Sequence, residues 1–231
     1  MEPLQDFPQV SGVERRYVPQ KLVELRAVVE DGKDPIIDGL VAVYDSWSPV
    51  YDWFRERISS SFFEAAIGRD DVRALFNHDV NYVLGRSGPG TLELTSEKAG
   101  LRGRVTVSAR SQLLRDLVIL PLERRDVTGA SFSFDLPPEG GVTWKKGADG
   151  VWERTLEAIG TLYDVGPVTF PFYPDTAVGV RSAMPPAMRS AMHLDEAKRS
   201  LEEWLHKETG ARAAGHELDL LSRRMRMLAL G

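Results

Sequence analysis

The sequence predicts an α+β protein, with a β-rich core domain over residues 21–180 and a helical tail over residues 181–231. Three observations lead there. Stretches in which apolar and polar residues alternate recur between turn-forming clusters through the first three quarters of the chain. Beyond residue 193 the apolar residues switch to helical spacing. The 231 residues are 42% hydrophobic and 27% charged, which supplies an ordinary core and excludes a disordered chain.

The elements follow in order. Residues 1–20 carry three prolines and no sustained period, which reads as a flexible N-terminal arm. Lys21 to Val29 is rich in β-formers, Asp31-Gly32-Lys33-Asp34-Pro35 is a turn, and Ile36 to Tyr44 returns as a strand. An aromatic-rich loop follows from Trp47 to Phe54. Ser59-Ser60-Ser61 before Phe62 to Ile67 reads as a capped short helix closed by Gly68, and Asp70 to Phe76 as another helical turn. Thr91 to Thr95 and Leu101 to Val107 alternate on either side of a turn, which is a hairpin. Ser108 to Leu122 reads as a helix opened by Ser108 or Ser111 and ended near Pro121. Thr128 to Leu136 alternates strictly, with Ala130, Phe132 and Phe134 on one face and Ser131, Ser133 and Asp135 on the other. Short strands at Val142–Lys146 and Val151–Arg154 flank Gly147 to Gly150. Leu156 to Phe172 is strand-like until prolines 167, 171 and 174 end it. In the tail, a linker from Ser182 to Met192 precedes a stripe of Leu194, Ala197, Leu201, Trp204 and Leu205, with Glu203 and Lys207 at i,i+4. A second stripe carries Leu218, Leu221, Met225 and Leu228. Both stripes are expected to face a partner.

Composition narrows the chemistry. The absence of cysteine excludes a disulfide scaffold, a thiol nucleophile and cysteine-based metal sites, and it fits a reducing compartment. Four histidines (His78, His193, His206 and His216) do not suggest a histidine-rich metal centre. A net charge of −5 is not the footprint of a nucleic-acid binder. No apolar run approaches the roughly 18 residues of a membrane span, and Met1 to Val10 is not a signal peptide, so a soluble intracellular protein is expected. No nucleic acid, membrane, metal or cofactor is expected among its partners.

Three residues could carry catalysis. His78, in Asn77-His78-Asp79, is the only histidine of the β-rich domain and stands where a helix meets the next strand. Ser131 lies on a strand, and a serine hydroxyl becomes a useful nucleophile only when a base stands within roughly 3 Å and a third group fixes that base. Asp164 interrupts an apolar, aromatic stretch, where a carboxylate needs a partner such as an imidazolium; Glu157 is a second candidate for that role. Ser133 is the neighbouring hydroxyl, on the same face about 7 Å from Ser131, and a base placed for one cannot serve the other. Ser133 is therefore expected to be a bystander. There is no Gly-x-Ser-x-Gly elbow, no His-Glu-x-x-His and no Gly-Lys-Ser/Thr phosphate loop, and Gly85 to Gly90 reads as a turn.

Five stretches in order resemble the prohead maturation proteases of tailed bacteriophages. They are Ile37 to Tyr44, Phe76-Asn77-His78-Asp79 with Val83-Leu84-Gly85-Arg86, Gly90 to Leu94 with Gly100-Leu101, Gly129 to Phe134, and Leu162 to Pro171 leading into Tyr173-Pro174-Asp175-Thr176. The resemblance covers about residues 20 to 178. It implies a compact β-barrel core with surrounding helices, similar to the herpesvirus assembly proteases, so that residues 21–180 are a protease domain. It implies a serine endopeptidase that works inside the immature capsid, in the host bacterial cytoplasm, and trims the scaffolding segment of the major capsid protein and usually itself. A homo-oligomer is a further partner this leaves open. Ser131 aligns with the family's nucleophile and His78 with its base, and the third member is carried onto Asp164, with Glu157 near enough to compete. Gly166 stands where the family pattern usually has serine, and Phe172 where it usually has alanine. Two other readings compete: a catalytically inactive structural barrel, and an assembly scaffold whose working part is the tail helices.

Overall fold

The computed structural model describes residues 12–18, 25–50, 53–169, 194–209 and 218–220. Twelve strands among them form three sheets. The strands are β1 (Glu14–Val18), β2 (Arg26–Val28), β3 (Ile36–Val43), β4 (Phe54–Ile58), β5 (Arg73–Leu75), β6 (Val83–Arg86), β7 (Leu92–Glu97), β8 (Gly100–Thr106), β9 (Gly129–Phe134), β10 (Val142–Lys146), β11 (Trp152–Leu156) and β12 (Leu162–Val168). The five-stranded sheet has the order β1-β9-β12-β5-β6, the four-stranded sheet β2-β3-β8-β7, and the three-stranded sheet β10-β11-β4.

The α+β class holds, but the described strands do not close into a barrel. Each sheet keeps two edges. The five- and four-stranded sheets meet through isolated backbone bonds, such as Thr91 N–H to Arg86 O at 3.1 Å, instead of a continuous ladder. Bulges also break the register, between Leu40 and Ala42 in β3 and between Leu162 and Asp164 in β12.

The main core joins these sheets. Val18, Ile37, Val41, Leu84, Leu101, Val105, Phe132, Phe134 and Leu162 are buried in one cluster. The alternation of β9 turns Phe132 and Phe134 into it, where they meet Phe63 and Phe62 edge-on at 5.1 and 5.3 Å between ring centroids. Phe62 and Phe63 ride on consecutive turns ended by Gly68 at φ +82°, not on a regular helix. A helix, α1, covers another side of the core with Val118, Ile119 and Leu122. It runs through Gln112–Leu114, a π turn at Arg115–Ile119 and Leu120–Glu123, and Ser111 caps its start by accepting from Leu114 N–H. Pro121 lies inside it. Proline lacks an N–H, and the wider π turn, in which Leu120 N–H reaches Arg115 O, brings the chain through that position.

Other expectations change. Asp70 to Phe76 contains strand β5 where a helical turn was expected. Pro167 does not end its strand, because β12 pairs with β5 only at Asp164 and Val165 and no partner on that side needs a residue-167 N–H. The arm expected over residues 1–20 includes β1, a strand with Glu14, Arg16 and Val18 buried. The first tail helix, α2 (Leu194–Thr209), lays Ala197, Leu201 and Leu205 on Trp53, Phe54, Trp144 and Trp152 of the chain's own three-stranded sheet. These residues of its apolar stripe are thus covered from within. Lys198 and Glu202 form an i,i+4 ion pair on it, at 3.9 Å. Leu218 joins the tryptophan cluster; Leu221, Met225 and Leu228, the linker at 182–192 and Phe172 lie outside the described residues. No described helix is long and apolar enough to cross a membrane.

Candidate active site

The site is built on β9, a strand paired on both edges. β1 lies on one side, with Tyr17 opposite Ser131, and β12 on the other, with Gly166 opposite Ser131 and Asp164 opposite Ser133. Every residue of β9 is buried. Double pairing holds Ser131 on a rigid backbone, which suits a group whose misplacement by a fraction of an ångström is costly.

His78 arrives from the turn between β5 and β6. Asn77 and His78 both adopt left-handed backbone, at φ +55° and +58°. Asparagine tolerates this conformation and histidine does so less readily, so the turn stores strain that its surroundings must hold. Asn77 N–H donates to Pro167 O at 3.0 Å, its side-chain oxygen accepts from Thr169 N–H at 2.8 Å, and its amide donates to Thr169 Oγ1 at 3.0 Å. On the other side Asp79 N–H donates to Phe76 O at 3.0 Å. The end of β12 thereby fixes the turn that carries the imidazole.

The three residues singled out in the sequence meet. His78 Nε2 lies 2.6 Å from Ser131 Oγ, and His78 Nδ1 lies 2.5 Å from Asp164 Oδ1. An ionised carboxylate only accepts, so Nδ1 carries the proton and Nε2 is left to accept from the serine hydroxyl. Ser131 is fully buried, and its hydroxyl has a second acceptor in Arg16 O on β1 at 3.0 Å. The Tyr17 ring stands edge-on to the imidazole at 6.2 Å. Burial raises the Tyr17 phenol above its ordinary value; the Arg15 charge opposes this and the Asp164 charge adds to it. Glu157 lies elsewhere, at the end of β11, where it accepts from Thr143 Oγ1 at 2.9 Å.

Two features escaped the sequence reading. Ser133 is not idle: its hydroxyl donates to Asp164 Oδ2. The pairing register that sets the two residues opposite one another is not written in either local motif. The second is a buried ionic cluster that fastens β1 beside Ser131. Arg154 donates to both Glu14 oxygens and to Glu56 Oε2, each at 2.8 Å, and Arg16 donates to Glu14 and Glu56. Burial alone would raise the Glu14 carboxyl, but the charges and hydrogen bonds of Arg154 and Arg16 prevail and hold it at about 2. A signal existed in the period-2 spacing of Glu14, Arg16 and Val18, which places both charges on the same face as an apolar residue.

Gly166 is explained by its position. A side chain there would overlap the Leu75 backbone carbonyl on β5, so no residue with a Cβ has room at this position in this chain. Among the described residues no three His, Asp or Glu side chains are grouped to hold a metal ion.

A search among curated proteins and one among solved structures find no match. A family model does: the caudovirus prohead serine protease model matches residues 21–189, well over half of the chain. That span contains the turn of His78, strand β9 and strand β12, and the chain belongs to the caudovirus prohead serine protease family.

Proposed function

We propose that the chain is the serine endopeptidase that removes the scaffolding segment of a phage major capsid protein, and cleaves itself, within the immature capsid, with Ser131 as nucleophile, His78 as base and Asp164 as the group that orients the base. The observation that carries this reading is the imidazole bonded at one nitrogen to a strand serine and at the other to a buried carboxylate, in a member of a serine protease family.

The chemistry follows from the atoms. Ser131 Oγ attacks the scissile carbonyl carbon while its proton passes to His78 Nε2. The cationic imidazole, held by the Asp164 carboxylate, then gives that proton to the departing amine, leaving an acyl-enzyme that water hydrolyses by the same relay. The buried setting strengthens the Asp164–imidazolium attraction relative to water. Because Ser131 is fully buried, a scissile peptide reaches it only after a local opening. Co-expression with the major capsid subunit of the same genome tests the reading. The wild-type chain should shorten both proteins on a gel, and Ser131→Ala should leave both at full length. Trimming by the Ser131→Ala protein would overturn it.

A further inference from the structure

We propose that Ser133 is a positioning residue of this site: its hydroxyl fixes the Asp164 carboxylate so that the carboxylate can fix His78. The inference rests on the reading of Ser131, His78 and Asp164 given above and extends it by one member.

The geometry has the form of a closed ring. It starts at Ser131, runs through His78 to Asp164 Oδ1, leaves from Asp164 Oδ2 and ends at Ser133, two residues from where it began. Ser131 and Ser133 are joined by β9 itself, so their separation, about 7 Å on a regular strand, is set by the backbone. Both ends of the relay are therefore anchored to one rigid element. The bulge between Leu162 and Asp164 sets Asp164 directly opposite Ser133.

The carboxylate also needs this donor for its own sake. Asp164 is buried, and the two described hydrogen bonds to its side chain come from His78 and Ser133, one to each oxygen. A buried carboxylate with one oxygen unsatisfied is costly, and it is free to turn about its last torsion. Once Ser133 holds Oδ2, Oδ1 faces the imidazole. Arg73, which pairs with Asp164 across β5, turns its guanidinium to Asp71 and does not substitute for the hydroxyl. The described hydrogen bond of the Ser133 hydroxyl goes to Asp164 Oδ2, and those of the imidazole go to Ser131 and Asp164; the effect of Ser133 passes through Asp164.

The test uses the full chain and two readouts. One is the rate of covalent labelling by a fluorophosphonate probe. The other is the NMR signal of the His78 ring N–H, assigned by its loss in His78→Ala, and the rate at which that proton exchanges with water. Ser133→Ala should slow labelling about 10-fold, the usual scale for one hydrogen bond to a charged group, and should speed exchange of the ring proton by a similar factor. Ser133→Thr keeps the hydroxyl and should restore both. Ser133→Cys, near in size and a weak donor, reads the same two quantities if the alanine protein fails to fold, and should fall between alanine and wild type. Unchanged labelling and exchange in Ser133→Ala would overturn the inference. So would a slow Ser133→Ala protein whose ring proton exchanges as in wild type, since that pattern is mere structural damage. If Ser131→Ala labels like wild type, the nucleophile assignment fails instead, whereas the exchange readout still reports on the link from Ser133 through Asp164 to His78.

Discussion

Asp164→Asn is the substitution that tests the relay most sharply. It preserves shape and removes one negative charge. The new amide has two ways to sit between His78 and Ser133. If its NH2 faces His78, the ring must carry its proton on Nε2, and Nε2 can no longer accept from Ser131 Oγ at 2.6 Å. Loss of the correct tautomer costs about 10,000-fold in serine triads. If its carbonyl faces His78, the tautomer survives but the imidazolium formed during attack has lost its counter-charge. With Nδ1 2.5 Å from Oδ1 the charge centres stand about 4 Å apart, and a unit pair at that distance and an effective dielectric near 20 is worth about 4 kcal/mol, or about 1,000-fold. Either orientation thus predicts a loss of at least about 1,000-fold in the fluorophosphonate labelling rate, with thermal unfolding close to wild type because the substitution is nearly isosteric. Glu157→Gln is the paired control, and its loss should be small because Glu157 contacts Thr143 and not the imidazole. Labelling of Asp164→Asn within 10-fold of wild type, or a collapse confined to Glu157→Gln, would refute the assignment.

Three further outcomes follow from the packing. Gly166→Ala drives a methyl group into the Leu75 carbonyl on β5 and should destabilise the chain by about 1–3 kcal/mol or more, read as a lower urea midpoint; an unchanged midpoint would mean that β12 and β5 separate freely. Arg154→Met leaves two buried carboxylates, Glu14 and Glu56, with Arg16 alone, and should cost about 3–5 kcal/mol in chemical denaturation, whereas a loss below 1 kcal/mol would show that the cluster is not formed. Glu14 links stability to pH. Its folded carboxyl lies near 2 against an ordinary 4.5, so its contribution of about 3 kcal/mol is fully present above pH 4.5 and drains away as pH falls from there toward 2. Denaturation midpoints across that range should fall more steeply for wild type than for Glu14→Gln, and parallel curves would contradict the assignment.

Most of the candidate site's geometry was legible in the sequence because its signals are local. The alternation of Ala130, Phe132 and Phe134 against Ser131 and Ser133 fixes which side chains share a face, whatever the strand pairs with. A lone histidine in the β-rich domain leaves one base to choose, and an aspartate within an apolar run marks a buried charge in need of a partner. What was not legible is pairing. Which of Asp164 and Glu157 reaches His78 depends on β12 lying beside both β9 and β5, and β12 joins residues far apart in the chain. The barrel expected from the resemblance depends on strand closure, which single hydrogen bonds at the sheet margins do not provide. β1 was hidden for a different reason: two of its three buried residues are charged, and their burial makes sense only with Glu56 and Arg154 supplied from strands much later in the chain. Ser133 shows the limit of reading by face alone. Its face was evident, but its partner was not.

The same strand accounts for both the rigidity and the cost of the site. On one face β9 turns Phe132 and Phe134 into an aromatic cluster of the core, and on the other it buries two hydroxyls. Buried hydroxyls destabilise a strand unless they are bonded. Here each finds a hydrogen-bond partner within the proposed relay, Ser131 at His78 and Ser133 at Asp164. The Asp164 carboxylate, costly in isolation, is satisfied by the imidazole and by Ser133. The groups that would be liabilities one at a time become mutually satisfying as a set, and that explains how a fully buried strand tolerates them. It also dictates how the set should fail. Removing the Ser131 hydroxyl leaves the bond between Ser133 and Asp164 in place, so Ser131→Ala should remain folded, whereas Asp164→Ala strips a partner from Ser133 and from the strained His78 turn together and should lose both activity and stability.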